Sequence, residues 1–226
     1  MLGRHLPADG NVRNLRTLVL WVANARGNLP RAKRVKERMD CQAELRRTLI
    51  LGNSGSGKSW LSVQLGEALG TEVLDLDHIH WESGSYNTPR DEQISIEMTR
   101  QAASRPAWVI EGVYGWLARE VAPHATALIW LDTPVDECVA NLRQRGLRRT
   151  GDAASFDELR AWAADYPRRQ TSSSRAGHER IFLAFPRRKF RLASREDVDR
   201  LLAEFADSKS ASSEEKRLLC HGKPVG

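Results

Sequence analysis

The chain is poor in cysteine. Its 226 residues hold three, Cys41, Cys138 and Cys220, an odd number set far apart. That excludes a disulfide framework and any metal-knuckle spacing, and points to a reducing, cytoplasmic setting. No apolar run approaches the roughly 20 residues a membrane span needs, so no transmembrane helix is expected. There is no internal repeat and no collagen-like or low-complexity stretch. Hydrophobic residues at 41% and charged residues at 28% are ordinary for a globular chain.

Charge is present but uneven. Residues 1–47 carry 11 Lys+Arg against 4 Asp+Glu, a surplus of +7, while the remainder carries 24 against 25. The net +6 therefore belongs to an N-terminal extension, 1–46, expected to be partly disordered. Such an arm can touch nucleic acid or an anionic surface. One helix is expected within it, Asn11 to Arg26, ended by Gly27 to Pro30. Met39 stands shortly before the first strand and is an alternative start. Residues 207–226 are polar and read as a flexible tail.

Between these ends, 47–206 reads as one domain of alternating strands and helices. Strands are expected at Thr48–Leu51, Val73–Leu76, Ala107–Ile110, Thr126–Leu131 and Lys189–Leu192. Helices are expected over Lys58–Leu69, from Thr88 to Ser104, from Thr133 to Arg145, from a Ser155 cap to Tyr166, over Arg175–Phe185, and after Ser194. In the second of these, Thr88 is the expected cap and Pro89 the first helical residue. Alternation of this kind means an α/β fold with a parallel sheet.

One motif sets the chemistry. Gly52-Asn53-Ser54-Gly55-Ser56-Gly57-Lys58-Ser59 satisfies G-x-x-x-x-G-K-[ST] at every fixed position, between an expected strand and an expected helix. Glycines let the backbone curl close to phosphate, successive N–H groups form an anion nest, and the helix aims its positive end there. Residues 52–59 and Trp60 are thus the expected ATP site. Lys58 reaches the outer phosphates and the Ser59 hydroxyl binds Mg²⁺. No N-K-x-D base-reading signature of GTPases is present.

Four blocks, GNSGSGKS at 52–59, LDHIHWE at 76–82, WVIEGVYG at 108–115 and ALIWLDTP at 127–134, resemble a family. They are similar in order and spacing to the small adenylate-kinase-related P-loop proteins often labelled DNA topology modulation proteins. The resemblance spans 47–206. It implies a P-loop NTPase three-layer fold, a five-stranded parallel sheet with helices on both faces, and a small helical lid at about 146–176. It implies a kinase acting on a nucleotide, nucleoside or other small-molecule acceptor.

The candidate residues follow. Asp77, beyond the second strand, would position or deprotonate the acceptor, with Asp75 as the alternative if the strand register is off by one turn. Glu111 ends the third strand and would hold Mg²⁺ alongside Ser59. Trp81, Tyr86, Tyr114 and Trp116 would line an acceptor pocket by stacking. His78 and His80 lack a third metal ligand and would contact substrate or solvent. Asp132 is expected to cap the Thr133-Pro134 turn. Arginines flank the lid: Arg143, Arg145, Arg148 and Arg149 at its entry, Arg168, Arg169 and Arg175 at its exit. Arg145 and Arg168 are the expected catalytic pair, stabilising charge on the transferred group. Related proteins carry R-x-x-x-R at the entry, whereas here the first position is Asn141. The alternative reading is an ATP-binding switch whose basic arm contacts DNA or another partner.

Overall fold

A computed structural model describes residues 43–82, 88–146 and 153–203. All lie in the compact unit Cys41–Gly226. The expected N-terminal helix, Tyr86, Arg148, Arg149 and the polar tail lie outside the described residues.

The elements alternate as expected: β1 (Arg47–Gly52), α1 (Lys58–Leu69), β2 (Val73–Asp75), α2 (Leu76–His80), α3 (Glu92–Ala103), β3 (Trp108–Gly112), α4 (Gly115–Val121), β4 (Ala127–Leu131), α5 (Val135–Arg145), α6 (Ala153–Ala164), α7 (Arg175–Ala184) and β5 (Arg188–Leu192). Residues 195–203 form a further helix, α8. Five parallel strands make one sheet in the order β2-β3-β1-β4-β5. This is an α/β fold with the P-loop between β1 and α1.

Alternation along the central strands builds two cores. Leu49, Leu51, Trp108, Ile110, Leu128 and Trp130 point to one face, where they meet Leu117 and Val121 of α4 and Ile181 of α7. Ile50, Val109, Ile129 and Leu131 point to the other, against Leu61 and Leu65 of α1 and Val198 and Leu201 of α8. Period-2 alternation with both sides apolar is what a strand covered on both faces requires.

Local capping moved several expected boundaries. Asp75 ends β2 one residue early because its carboxylate accepts the Asp77 N–H and caps α2, placing Leu76 in the helix rather than the strand. Asp91, not Thr88, caps α3 by accepting from the Gln93 and Ile94 N–H groups. Pro89 instead bridges Trp81 in an isolated antiparallel pair. Ser155 sits inside α6. Ser194 and Asp197 form the expected reciprocal box at the start of α8.

A buried polar chain ties the segment after α6 to the sheet. Trp130 Nε1–H donates to Tyr166 Oη at 3.3 Å, and Tyr166 Oη lies 2.7 Å from His178 Nδ1. His178 Nε2 lies 2.9 Å from the Val113 carbonyl. With Nε2 protonated, each group in the chain has a partner, as burial demands. His178 is fully buried, and burial pushes its pKa down to about 4 from 6.5. The folded chain thus excludes a proton that the unfolded chain binds below pH 6.5. This contribution is present at neutral pH and is lost as pH falls toward 4. The stability advantage of wild type over His178→Gln should shrink by about 2 kcal/mol between pH 7 and pH 5. Urea unfolding of both chains at the two pH values checks it, and a gap that does not change would show that the imidazole is not held neutral.

Candidate functional site at the carboxyl edge of the sheet

The P-loop is built by backbone conformation. Gly55 and Gly57 have φ of +82° and +93°, a region that side chains rarely tolerate. A Cβ on Gly55 would stand 2.2 Å from the Cys138 carbonyl oxygen, so the loop is seated directly on α5. Asn141 Nδ2 donates to the Gly55 carbonyl at 3.0 Å. The residue that replaces the expected first lid arginine therefore holds the loop. Asn53 is fully buried: its Oδ1 accepts the Ser54 N–H at 2.9 Å and its Nδ2 donates to Ala163 of α6 at 2.8 Å. The loop is thus fastened to α5 and α6 as well as to its own strand.

Lys58 is buried and its Nζ donates to the Asn53 carbonyl at 3.0 Å, folding the ammonium back over the loop. Ser59 is exposed on the first turn of α1. Trp60 is 40% exposed, with the Arg195 guanidinium 4.0 Å above its ring. Two features suit a phosphate chain. The Ser56 hydroxyl is buried without a hydrogen-bond partner. A Cβ placed on Gly57 would meet nothing within 4 Å, so the space before the nest is open. For Mg²⁺ the available donors are oxygens, the Ser59 hydroxyl and nearby carboxylates. Among the described residues no group of three His, Cys, Asp or Glu could hold a metal alone. Oxygen donors suit a hard ion that keeps waters and takes phosphate oxygens.

Across the sheet edge stands a group of acids. Parallel register places Asp75 beside Glu111 at the ends of β2 and β3. Glu111 is 2% exposed. Burial, then the Glu111 and Asp77 charges, push the Asp75 pKa up to about 7, with the Lys58 ammonium and the helix-cap bond acting against them. The fold thus brings Lys58, Asp75, Asp77 and Glu111 within electrostatic reach of one another. Gly112 is where α2 closes on β3: a Cβ there would stand 2.7 Å from Leu76 Cβ.

Next to Asp77 is a cluster of rings. His80 packs against Trp81, Tyr114 and Trp116 with centroids 4.4, 4.2 and 5.9 Å away. Tyr114 stands close to the Asp77 carboxylate, and burial together with that charge raises its pKa. Burial lowers the pKa of His80, keeping the ring neutral among its neighbours. His78 is exposed.

The arginines separate into two groups. Arg145 is exposed in the last turn of α5. Arg168 points outward and pairs with Asp165 at 2.9 Å; it is not brought to the acid group. Its neighbour Arg169 turns in, lying 3.4 Å over the Trp162 ring and donating to the Ser173 carbonyl. Arg169 Nε and Nη1 are buried without partners. No sequence sign separated the two neighbours; their directions are set by the chain's turn after α6. Asp132, expected to cap a turn, instead accepts two bonds from Arg175 at 2.9 and 2.8 Å and pairs also with Arg191. It joins α7 and β5 to the end of β4.

No family model and no curated protein matches this chain. Among solved structures it is similar to a shikimate kinase from Acinetobacter baumannii, at 16% identity over 80% of this chain and 97% of that one, TM-score 0.43. It is also similar to a gluconokinase from Sinorhizobium meliloti, at 16% identity over 76% and 97%, TM-score 0.42. A deoxyadenosine kinase from M. mycoides is similar at 12% identity over 73% and 98%, TM-score 0.41. At these values the likeness carries no argument, and the fold rests on the strand order.

The Asp75 shift has a consequence for stability. The folded chain keeps a proton that the unfolded chain releases near pH 3.8, so the carboxyl costs progressively more as pH rises from there to about 7. Asp75→Asn retains an acceptor for the Asp77 N–H and removes that cost. At pH 8 the variant should be more stable than wild type by on the order of 1–3 kcal/mol, and the gain should vanish near pH 4. Denaturant unfolding across this range tests the sign; a gain that persists at pH 4 would mean the carboxylate charge is not its source.

Proposed function

We propose that the chain is an ATP-dependent small-molecule phosphotransferase that uses the P-loop 52–59 for Mg-ATP. The observation that carries the reading is the placement of the Lys58 ammonium opposite Asp75, Asp77 and Glu111 at one sheet edge. A P-loop alone supports nucleotide binding. Carboxylates on the far side supply what a second, hydroxylated substrate needs.

Mg-ATP, when bound, would supply the transferable phosphoryl group. The loop N–H groups, the Ser56 hydroxyl and Lys58 would hold the phosphates and counter charge on the moving group. Ser59, with Asp75 and Glu111 through water, would hold the ion. Asp77 would orient the acceptor hydroxyl and accept its proton as the new P–O bond forms and the old one breaks. Tyr114, close to the Asp77 carboxylate, would help hold it in place. Arg169, rather than Arg168, is the lid arginine whose unpartnered donors suit an anion. The rings of His80, Trp81, Tyr114 and Trp116 suit an acceptor with a flat or apolar face, a nucleoside or nucleotide being the leading class.

The test is ATP turnover by the full-length protein against a panel of nucleosides, nucleotides and hydroxylated metabolites. One acceptor should give a phosphorylated product with many-fold stimulation. Lys58→Ala should lower the rate at least a hundredfold. Asp77→Asn should lose transfer while ATP still binds. Arg169→Ala should cost at least tenfold, and Arg168→Ala little. ATP binding with no acceptor-stimulated turnover would overturn the kinase reading in favour of a nucleotide-dependent switch.

A further inference from the structure

Most of the described arginines lie against a carboxylate. Three that do not, Arg119, Arg180 and Arg187, line one groove of about 560 Å³ between α4 and α7. The groove runs from Ser172 to Arg187, the residue before β5, so it lies along the helical layer and ends at the amino edge of the sheet, away from the P-loop. Ala122, Ile181 and Phe185 are among its apolar lining, and among the described residues no acidic side chain lines it. Ile181 and Phe185 are buried core residues, so the floor is firm. Arg187 Nη1 is anchored by the Pro123 and Ala125 carbonyls at 3.2 and 2.8 Å. Arg119 and Arg180, on the two facing helices, have no hydrogen bond or ion pair among the described residues. The nearest acid to Arg119 in sequence, Glu120, is held by Arg100 at 2.7 Å.

Three like charges around one apolar hollow repel, and the two carbonyls that hold Arg187 offset only part of it. A ligand that supplied a compact, multiply charged head to the guanidinium forks and an apolar body to the floor would satisfy both features. Guanidinium is the group best suited to bidentate phosphate contacts. The volume falls within the range of small-molecule sites.

We propose that this groove is a second ligand site, separate from the P-loop, for a phosphate monoester with a compact apolar body. It is independent of the phosphotransferase reading. The experiment is calorimetric titration of the full-length protein with phenyl phosphate, with phenol and inorganic phosphate as partial probes. Wild type and Lys58→Ala should bind phenyl phosphate alike, with sub-millimolar Kd. Arg119→Gln/Arg180→Gln should bind it at least tenfold more weakly, and so should Ala184→Glu, which sets a carboxylate in the groove. Arg119, Arg180 and Ala184 are exposed, so the groove variants should unfold at the wild-type temperature, and thermal unfolding of every variant, buried Lys58→Ala included, is measured first. Phenol should not bind measurably, and inorganic phosphate should bind more weakly than the ester. Equal affinity in the groove variants, loss of binding in Lys58→Ala, or phenol binding as tightly as its phosphate would each overturn the proposal.

Discussion

All five strands run in one direction, and the site depends on that constraint. Parallel strands put every carboxyl end on one edge of the sheet. Gly52 at the end of β1, Asp75 at the end of β2, Glu111 near the end of β3 and Asp132 just beyond β4 therefore converge, although they are scattered along the sequence. In open α/β sheets this edge is where ligands bind. The central position of β1, between β3 and β4, sets the P-loop in the middle of that edge. Reversing any neighbour would carry its acid to the far side.

Convergence has an electrostatic cost. Asp75, Asp77 and Glu111 crowd together with burial, and the strain surfaces as a proton held by Asp75 near neutrality. Lys58 offsets part of it. A chain selected for stability alone would not bury acids side by side, since neutral or apolar residues of like shape would serve better. The arrangement is the kind that catalytic sites tolerate. The neutral His178 chain behind it is different: each member is paired, and it holds the turn after α6 against Trp130 and Val113. The P-loop gains rigidity in the same manner, through Asn53 on Ala163 and Asn141 on Gly55.

Much of this was legible from the chain alone. The strand–helix alternation and the P-loop with its flanking elements follow from periodicity and a spacing that backbone geometry demands. The Ser194–Asp197 box was read from two residues, because capping is local. Boundaries failed where a carboxylate capped a helix unexpectedly: Asp75 cut short the strand expected to reach Leu76, and Asp91 took the terminus expected at Thr88, since nothing in composition ranks a carboxylate against a Thr-Pro pair.

The site was less legible, for a physical reason. Local chemistry named Lys58, Asp77 and Glu111, because each follows a strand or opens a helix. Tertiary packing alone decided that Asp75 sits beside Glu111, that Asp132 joins Arg175 and Arg191, and that Arg169 faces inward while Arg168 faces water. Those outcomes turn on side-chain direction and on contacts between segments far apart in the chain. The sequence by itself determined the class of fold and the P-loop, since both rest on spacing within a few residues. The folded chain decided which charges meet, since Coulomb interaction and burial depend on distance in space and not along the backbone.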